Sequence, residues 1–262
     1  MDVAIVSRPS RGDQGNRKNL PSYCGTGFKK SALKPWRQEC WCIPPKQNAA
    51  FVAAMEDVLE VYQRPSDDAR PLVCLDEFAK QLLSEARVPI PATRRHVARN
   101  DYEYVREGSV SGFILAMAHL GGRDVFIGKD GRRTAKDFAA CLDYLANKVL
   151  PEADKIVLVM DNLNTHKEAS LYETFSPEKA RELCERFEFH YTPKHGSWLN
   201  MAEIEIGLLA RSCLNRRIGS AKEFRREIGA YLEKKNENLS PIKWQFTNKK
   251  ARIKLKSLYP AI

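Results

Sequence analysis

The sequence predicts an α/β fold: a mixed sheet flanked by helices on both faces. Three observations predict it. Ile156–Met160 (IVLVM) is a continuous apolar run, the pattern of a strand buried on both faces. Segments 112–120 and 123–128 flank Gly121-Gly122, a hairpin signal that makes part of the sheet antiparallel. After the hairpin, helix-like and strand-like segments alternate, which places helices against the sheet.

Taken in chain order, residues 1–35 are rich in Gly, Ser, Pro, Arg and Lys and lack apolar periodicity; they are expected to form a poorly ordered basic arm. Residues 36–70 are expected to be a linker and a helix. WRQECWCIPP (36–45) reads as an ordered linker or a docking strap. Phe51, Met55, Val58, Leu59 and Tyr62 then form a stripe at helical spacing, ended by Arg64-Pro65-Ser66-Asp67-Asp68. Residues 71–216 are expected to carry the sheet. Residues 72–75 read as a short strand closing in Asp76-Glu77, whereas 79–111, polar and broken by Pro89 and Pro91, carry no assignable element. Thr134 caps a helix over 134–150, with Phe138, Cys141, Leu142, Leu145 and Val149 as its stripe. Ile156–Met160 closes in Asp161-Asn162. Ser176-Pro177-Glu178 opens another helix. Residues 188–192 are a fifth strand, 199–214 and 221–235 are helical, and 217–262 form a basic C-terminal helix and tail.

Composition narrows the function. The chain has 262 residues, 43% hydrophobic and 29% charged, a globular balance. Its apolar runs are a handful of residues long, far short of the ~20 a membrane span needs. The start, MDVAIVSR, has no basic region ahead of an apolar one, as a secretory leader requires. Seven scattered cysteines suit a reduced, cytoplasmic protein. The net charge of +10 is uneven: residues 1–50 carry 9 basic and 3 acidic side chains, 51–206 carry 20 and 26, and 207–262 carry 14 and 4. Basic ends suit a polyanion such as nucleic acid, and an acidic centre suits divalent metal held near it.

Asp76 and Asp161 both follow predicted strands, where open α/β sheets place their sites. Each could instead cap a turn. A third acid opens a helix in WLNMAEIE (198–205), where it could also complement the helix dipole. Three converging carboxylates form an all-oxygen site for Mg²⁺ or Mn²⁺. Two such ions can activate the attacking oxygen and stabilise the leaving one in phosphodiester displacement.

MDNLNTHK (160–167) and FHYTPKHGSWLNMAEIE (189–205) resemble the catalytic core of bacterial insertion-sequence transposases of the mariner-related DDE type. LKPWRQECWCIPP (33–45), VCLDE (73–77) and ARIKLKSLYP (251–260) resemble the same family. The resemblance implies a ribonuclease H-like fold and a DNA strand transferase. It implies that Asp76, Asp161 and Glu203, rather than Glu205, are the catalytic and metal-binding acids, with two Mg²⁺ or Mn²⁺ ions. Its partners would be double-stranded DNA with terminal inverted repeats and a TA target, bound as a homodimer, with the protein at the bacterial nucleoid. The interval from Asp161 to Glu203, 42 residues, is longer than is typical of mariner relatives, and the helix near 177–187 absorbs the excess. The family's N-terminal helix-turn-helix pattern is not found in residues 1–30, so the resemblance is to a chain lacking most of that reader.

Further candidates for DNA contact are His166, close after Asp161; Lys194, His195 and Ser197, before the Glu203 helix; and Lys249, Lys250, Arg252 and Lys254, in a stretch alternating basic and apolar residues. His166 could also cap a helix, and Trp198 could stack on a base or anchor packing. Cys40 and Cys42 offer two of the four ligands zinc needs. Two other functions stay open beside the transposase: a non-catalytic DNA-binding remnant that represses an intact relative, and a structure-selective nuclease on the same fold.

Overall fold

Strands β1 (Leu72–Glu85), β2 (Tyr104–Met117), β3 (Gly122–Phe126), β4 (Ile156–Met160) and β5 (Phe187–Tyr191) form one sheet in the order β3-β2-β1-β4-β5. The helices are α1 (Ala49–Val61), α2 (Ala135–Tyr144), α3 (Ala169–Tyr172), α4 (Pro177–Arg186), α5 (Ala202–Ser212), α6 (Ala221–Asn236) and α7 (Asn248–Lys254). This computed structural model describes residues 47–260. The expected arm (1–35) and the strap at 36–45, with Cys40 and Cys42, lie outside the described residues.

The sheet is mixed, as expected. β1, β2 and β3 run antiparallel, and β4 and β5 add parallel to β1. Parallel neighbours need crossovers. Here α2 lies between β3 and β4, and α3 and α4 lie between β4 and β5. All five residues of β4 are buried, which accounts for its unbroken apolar run.

Strand alternation sends successive side chains to opposite faces. Val73, Leu75, Phe113 and Leu158 join one core with Phe138 and Leu142 of α2, Leu171 of α3 and Leu183 of α4. On the other face, Cys74 Sγ lies 3.7 Å from the hydroxyl of Tyr62, which follows α1 and donates to Leu199 O at 2.8 Å. Met55, Val58 and Leu59 of α1 are wholly buried, and α5 lies against β1 and β2. Residues 49–61, the expected helix, are part of the folded body.

Local chemistry sets the helix starts. Thr134 and Asp137 form a reciprocal capping box, and α2 then continues into a π-helical turn over Leu145–Val149. Ser176 caps α4, with Pro177 in its first turn. The β2–β3 turn needs glycine at 121 on two counts. Its φ is +80°, and a Cβ there would come within 2.7 Å of Ser240 N.

Two segments depart from expectation. β1 and β2 continue as a long antiparallel ribbon to the pair Glu85↔Tyr104, within the stretch that carried no pattern. The first six residues of β2 are exposed, so backbone bonds hold the ribbon there without any apolar alternation to reveal it. The C-terminal stretch is likewise no free tail. Ala251 and Leu258 are buried, Arg252 grips Glu56 of α1 through Nε and Nη2 at 2.8 Å each, and Tyr259 donates to Glu56 at 2.7 Å. Among the described residues, no helix is long and apolar enough to cross a membrane.

Candidate active site

The register of β1 and β4 brings two aspartates level. The last parallel pair is Cys74↔Val159, and Asp76 and Asp161 each lie two residues further on. Equal offsets from one pair bring both residues to the same edge of the sheet. Asp161 follows the end of β4, as expected, but Asp76 is not at a strand end. β1 runs on beyond it as the partner of β2, and Asp76 marks the end of the β1–β4 pairing instead. That is the carboxyl edge of the parallel strands, where open α/β sheets hold ligands.

The third acid is delivered by α5. Asn200, only 1% exposed, donates through Nδ2 to Leu75 O at 2.8 Å and lies 3.4 Å from Asp76 Oδ2. Its Oδ1 accepts from Ala202 N at 3.1 Å, so one side chain ties the head of α5 to β1 beside Asp76. Glu203 follows in the first turn. The motif quoted from the sequence contains Asn200, but spacing alone gives no sign of its role.

Burial, followed by the negative charge of Glu203, raises the Asp76 carboxyl to about 7, with Asp161 adding to the shift. The Glu77 N–H, which donates to Asp76 Oδ1 at 2.8 Å, opposes it.

Glu203 and Glu205 are sorted by their surroundings. Glu205 is 2% exposed and bonded to Arg123 of β3 at 2.9 Å. Arg123 also donates to Gly121 O, and its backbone is held on both sides by Asn236 of α6, at 2.9 and 2.7 Å. Glu205 is thus committed to the fold, while Glu203 stays half-buried beside Asp76. Arg123 carries no motif and was not legible in advance.

His166 is brought to the site, but not as a surface contact. Its side chain is wholly buried, which removes it from any DNA-facing surface. Nδ1 lies 2.5 Å from Asp161 Oδ1 and Nε2 lies 3.2 Å from Glu77 Oε1. Glu77 is bonded in turn to Arg133 at 2.8 Å. Burial opposes charge on the imidazole, but the hydrogen bonds and charges of Asp161 and Glu77 outweigh it and raise the pKa to about 9.

Lys194, His195 and Ser197 are exposed in the segment leading to α5. Lys194 lines a cleft of about 260 Å³ with Asn162 and Tyr191, next to Asp161. Trp198 packs edge-on against Phe246, with ring centroids 5.7 Å apart. Lys249, Lys250 and Lys254 are exposed on α7, whereas the Arg252 guanidinium is engaged by Glu56.

The donor set is chemically suited to a hard divalent cation: three carboxylates whose mutual repulsion a cation would relieve. Among the described residues, no three His, Cys, Asp or Glu side chains are grouped closely enough to hold an ion as they stand. Mg²⁺ commonly takes one or two carboxylates and completes its shell with water, so the chemistry of these acids suits it without a complete protein cage.

Comparison with known proteins agrees with the fold. The profile of the DDE superfamily endonucleases matches residues 71–225. No curated protein matches by sequence. Among solved structures, the Mos1 strand transfer complex is similar, with 11% identity and a TM-score of 0.51 over 79% of this chain and 60% of that one. A pre-cleavage Mos1 transpososome is similar at 11% identity and a TM-score of 0.50, over 79% and 61%. The chain spans about 60% of the length of these solved chains. At such identity the likeness is one of fold: the mixed sheet with flanking helices is ribonuclease H-like.

Proposed function

This chain belongs to the DDE superfamily of endonucleases, and from that premise we propose that it is a DNA transposase. It would cut transposon ends by metal-assisted phosphodiester hydrolysis and join the freed 3′-hydroxyl to target DNA at TA. The observation that carries the proposal is geometric: Asp76 and Asp161 lie level beyond the last β1–β4 pair, and Asn200 ties the head of the Glu203 helix to β1 beside Asp76. On this reading Asp76, Asp161 and Glu203 would converge on one metal-binding volume at the carboxyl edge of the parallel strands. The similar fold of the Mos1 strand transfer complex supports the same reading.

Asp76, Asp161 and Glu203 would hold Mg²⁺ or Mn²⁺, two ions, with water completing the shells. When bound, the metal supplies Lewis acidity at the scissile phosphate and a more acidic attacking hydroxyl. The chain's own residues orient these ligands. Asn200 fixes Asp76 against the head of α5, and the Glu77 N–H fixes one Asp76 oxygen. Lys194, His195 and Ser197 lie exposed where they would position DNA phosphates. A homodimer on DNA, coupling two inverted repeats, and a bacterial insertion sequence as source belong to the same proposal.

The test is joining. A duplex ending in the element's terminal repeat with a free 3′-hydroxyl is incubated with plasmid and Mg²⁺, and the junctions are sequenced. Junctions at TA that are lost in Glu203→Gln support transposition. Metal-dependent nicking without joining would favour a nuclease instead.

A further inference from the structure

We propose that His166 and Glu77 are positioning residues that hold the Asp161 carboxylate from behind; this rests on the metal-binding role proposed for Asp161. The geometry is a chain of four side chains. Arg133, largely exposed, bonds to Glu77 at 2.8 Å; Glu77 bonds to His166 Nε2 at 3.2 Å; His166 Nδ1 bonds to Asp161 at 2.5 Å. Each member fixes the next, and the chain ends on the proposed ligand.

The ring has little freedom. It lies 4.7 Å from the Phe138 ring at an interplanar angle of 30°, and 6.2 Å from Phe113. Its backbone N–H donates to Leu163 O at 3.0 Å, and Ser170 Oγ donates to Thr165 O at 2.8 Å. The turn from Asp161 to His166 is therefore pinned at its far end while Asn162, Leu163 and Asn164 stay exposed.

Glu77 adjoins Asp76 in sequence, but alternation turns it to the opposite face, with Val73 and Leu75. Its side chain serves His166 rather than the acid trio. Both ring nitrogens face carboxylates from different elements, which suits a group that sets an angle and is more than packing requires. Carboxylates that bind metals are generally oriented by such outer partners, whose loss weakens metal affinity about 10–100-fold.

The test reads Mn²⁺ affinity directly, from the electron paramagnetic resonance signal of free Mn²⁺, with circular dichroism confirming the fold. His166→Phe keeps the stacking and removes both donors; affinity is expected to fall about 10–100-fold. His166→Asn keeps a donor near the Nδ1 position and is expected to recover part of that loss. Glu77→Gln keeps the shape and removes the charge, and decides the matter if His166→Phe does not fold; weaker Mn²⁺ binding is expected. Asp161→Asn is the reference. If Asp161→Asn leaves Mn²⁺ binding unchanged, the ligand role of Asp161 fails, and the clamp with it. If Asp161→Asn weakens binding while His166→Phe, or Glu77→Gln in its place, binds as wild type does, the clamp alone is overturned. No recovery in His166→Asn relative to His166→Phe overturns the donor account.

Discussion

Arg123 and Glu205 are joined by a 2.9 Å ion pair in which both side chains are almost wholly buried. The pair fastens α5 to β3, two residues from Glu203. Removing one partner leaves a buried charge uncompensated, which costs about 3–5 kcal/mol. Arg123→Ala is therefore expected to lower the free energy of unfolding by that order, read by urea denaturation. Glu203→Gln, by contrast, is expected to leave stability nearly unchanged and abolish nicking. Glu205→Gln is expected to lose stability and keep nicking. The reverse assignment of the two glutamates would interchange the last two results.

Stability should fall with rising pH in the metal-free protein. The folded chain holds the His166 proton more tightly than the unfolded chain does, with a pKa raised from 6.5 to about 9. That contribution is fully present below pH 6.5 and is lost as pH rises toward 9. Melting temperature in chelator is expected to drop over this window in wild type, and to change less in His166→Phe. An equal drop in both would contradict the assignment.

Divalent metal should stabilise the fold. Asp76 is held up at about 7 by burial and by Glu203 and Asp161, and a cation among them reverses the repulsion. At 100 times its dissociation constant, a ligand specific to the folded state adds about 2.7 kcal/mol. Mn²⁺ is expected to raise the melting temperature of wild type and to raise that of Asp161→Asn much less. A calorimetric scan with and without Mn²⁺ measures it.

The basic residues of α7 should divide by role. Arg252 is bonded to Glu56, and Arg252→Ala is expected to change stability and DNA binding only slightly, as exposed ion pairs contribute little. Lys249, Lys250 and Lys254 are exposed. Changing these three to Ala is expected to weaken DNA binding and flatten its salt dependence by about one unit per lost phosphate contact. Binding isotherms at several salt concentrations separate the two groups.

Much of the fold was legible because burial leaves a pattern. The β4 run, the Gly121-Gly122 hairpin and the caps Thr134 and Ser176 each follow from a local physical requirement. The outer β1–β2 ribbon was not legible, since solvent on its surfaces removes the alternation. Nor was the docking of α7, which depends on Glu56 nearly two hundred residues away. At the site, the acids were read from motif and strand ends. Their surroundings meet only through the tertiary fold: Asn200 beside Asp76, Glu77 behind His166, and Arg123 holding Glu205. His166 was placed beside Asp161 in advance, but its burial was not, because an imidazole between two carboxylates has the same sequence as one facing DNA.

On the proposed function, Asp161 belongs to a metal-dependent phosphodiester-cutting site. Nicking of supercoiled plasmid, with Mg²⁺ or Mn²⁺ and with chelator, compares wild type and Asp161→Asn most directly. The predicted result is metal-dependent nicking by wild type, and none by a variant whose circular dichroism is unchanged. Nicking by Asp161→Asn at the wild-type rate would contradict the claim.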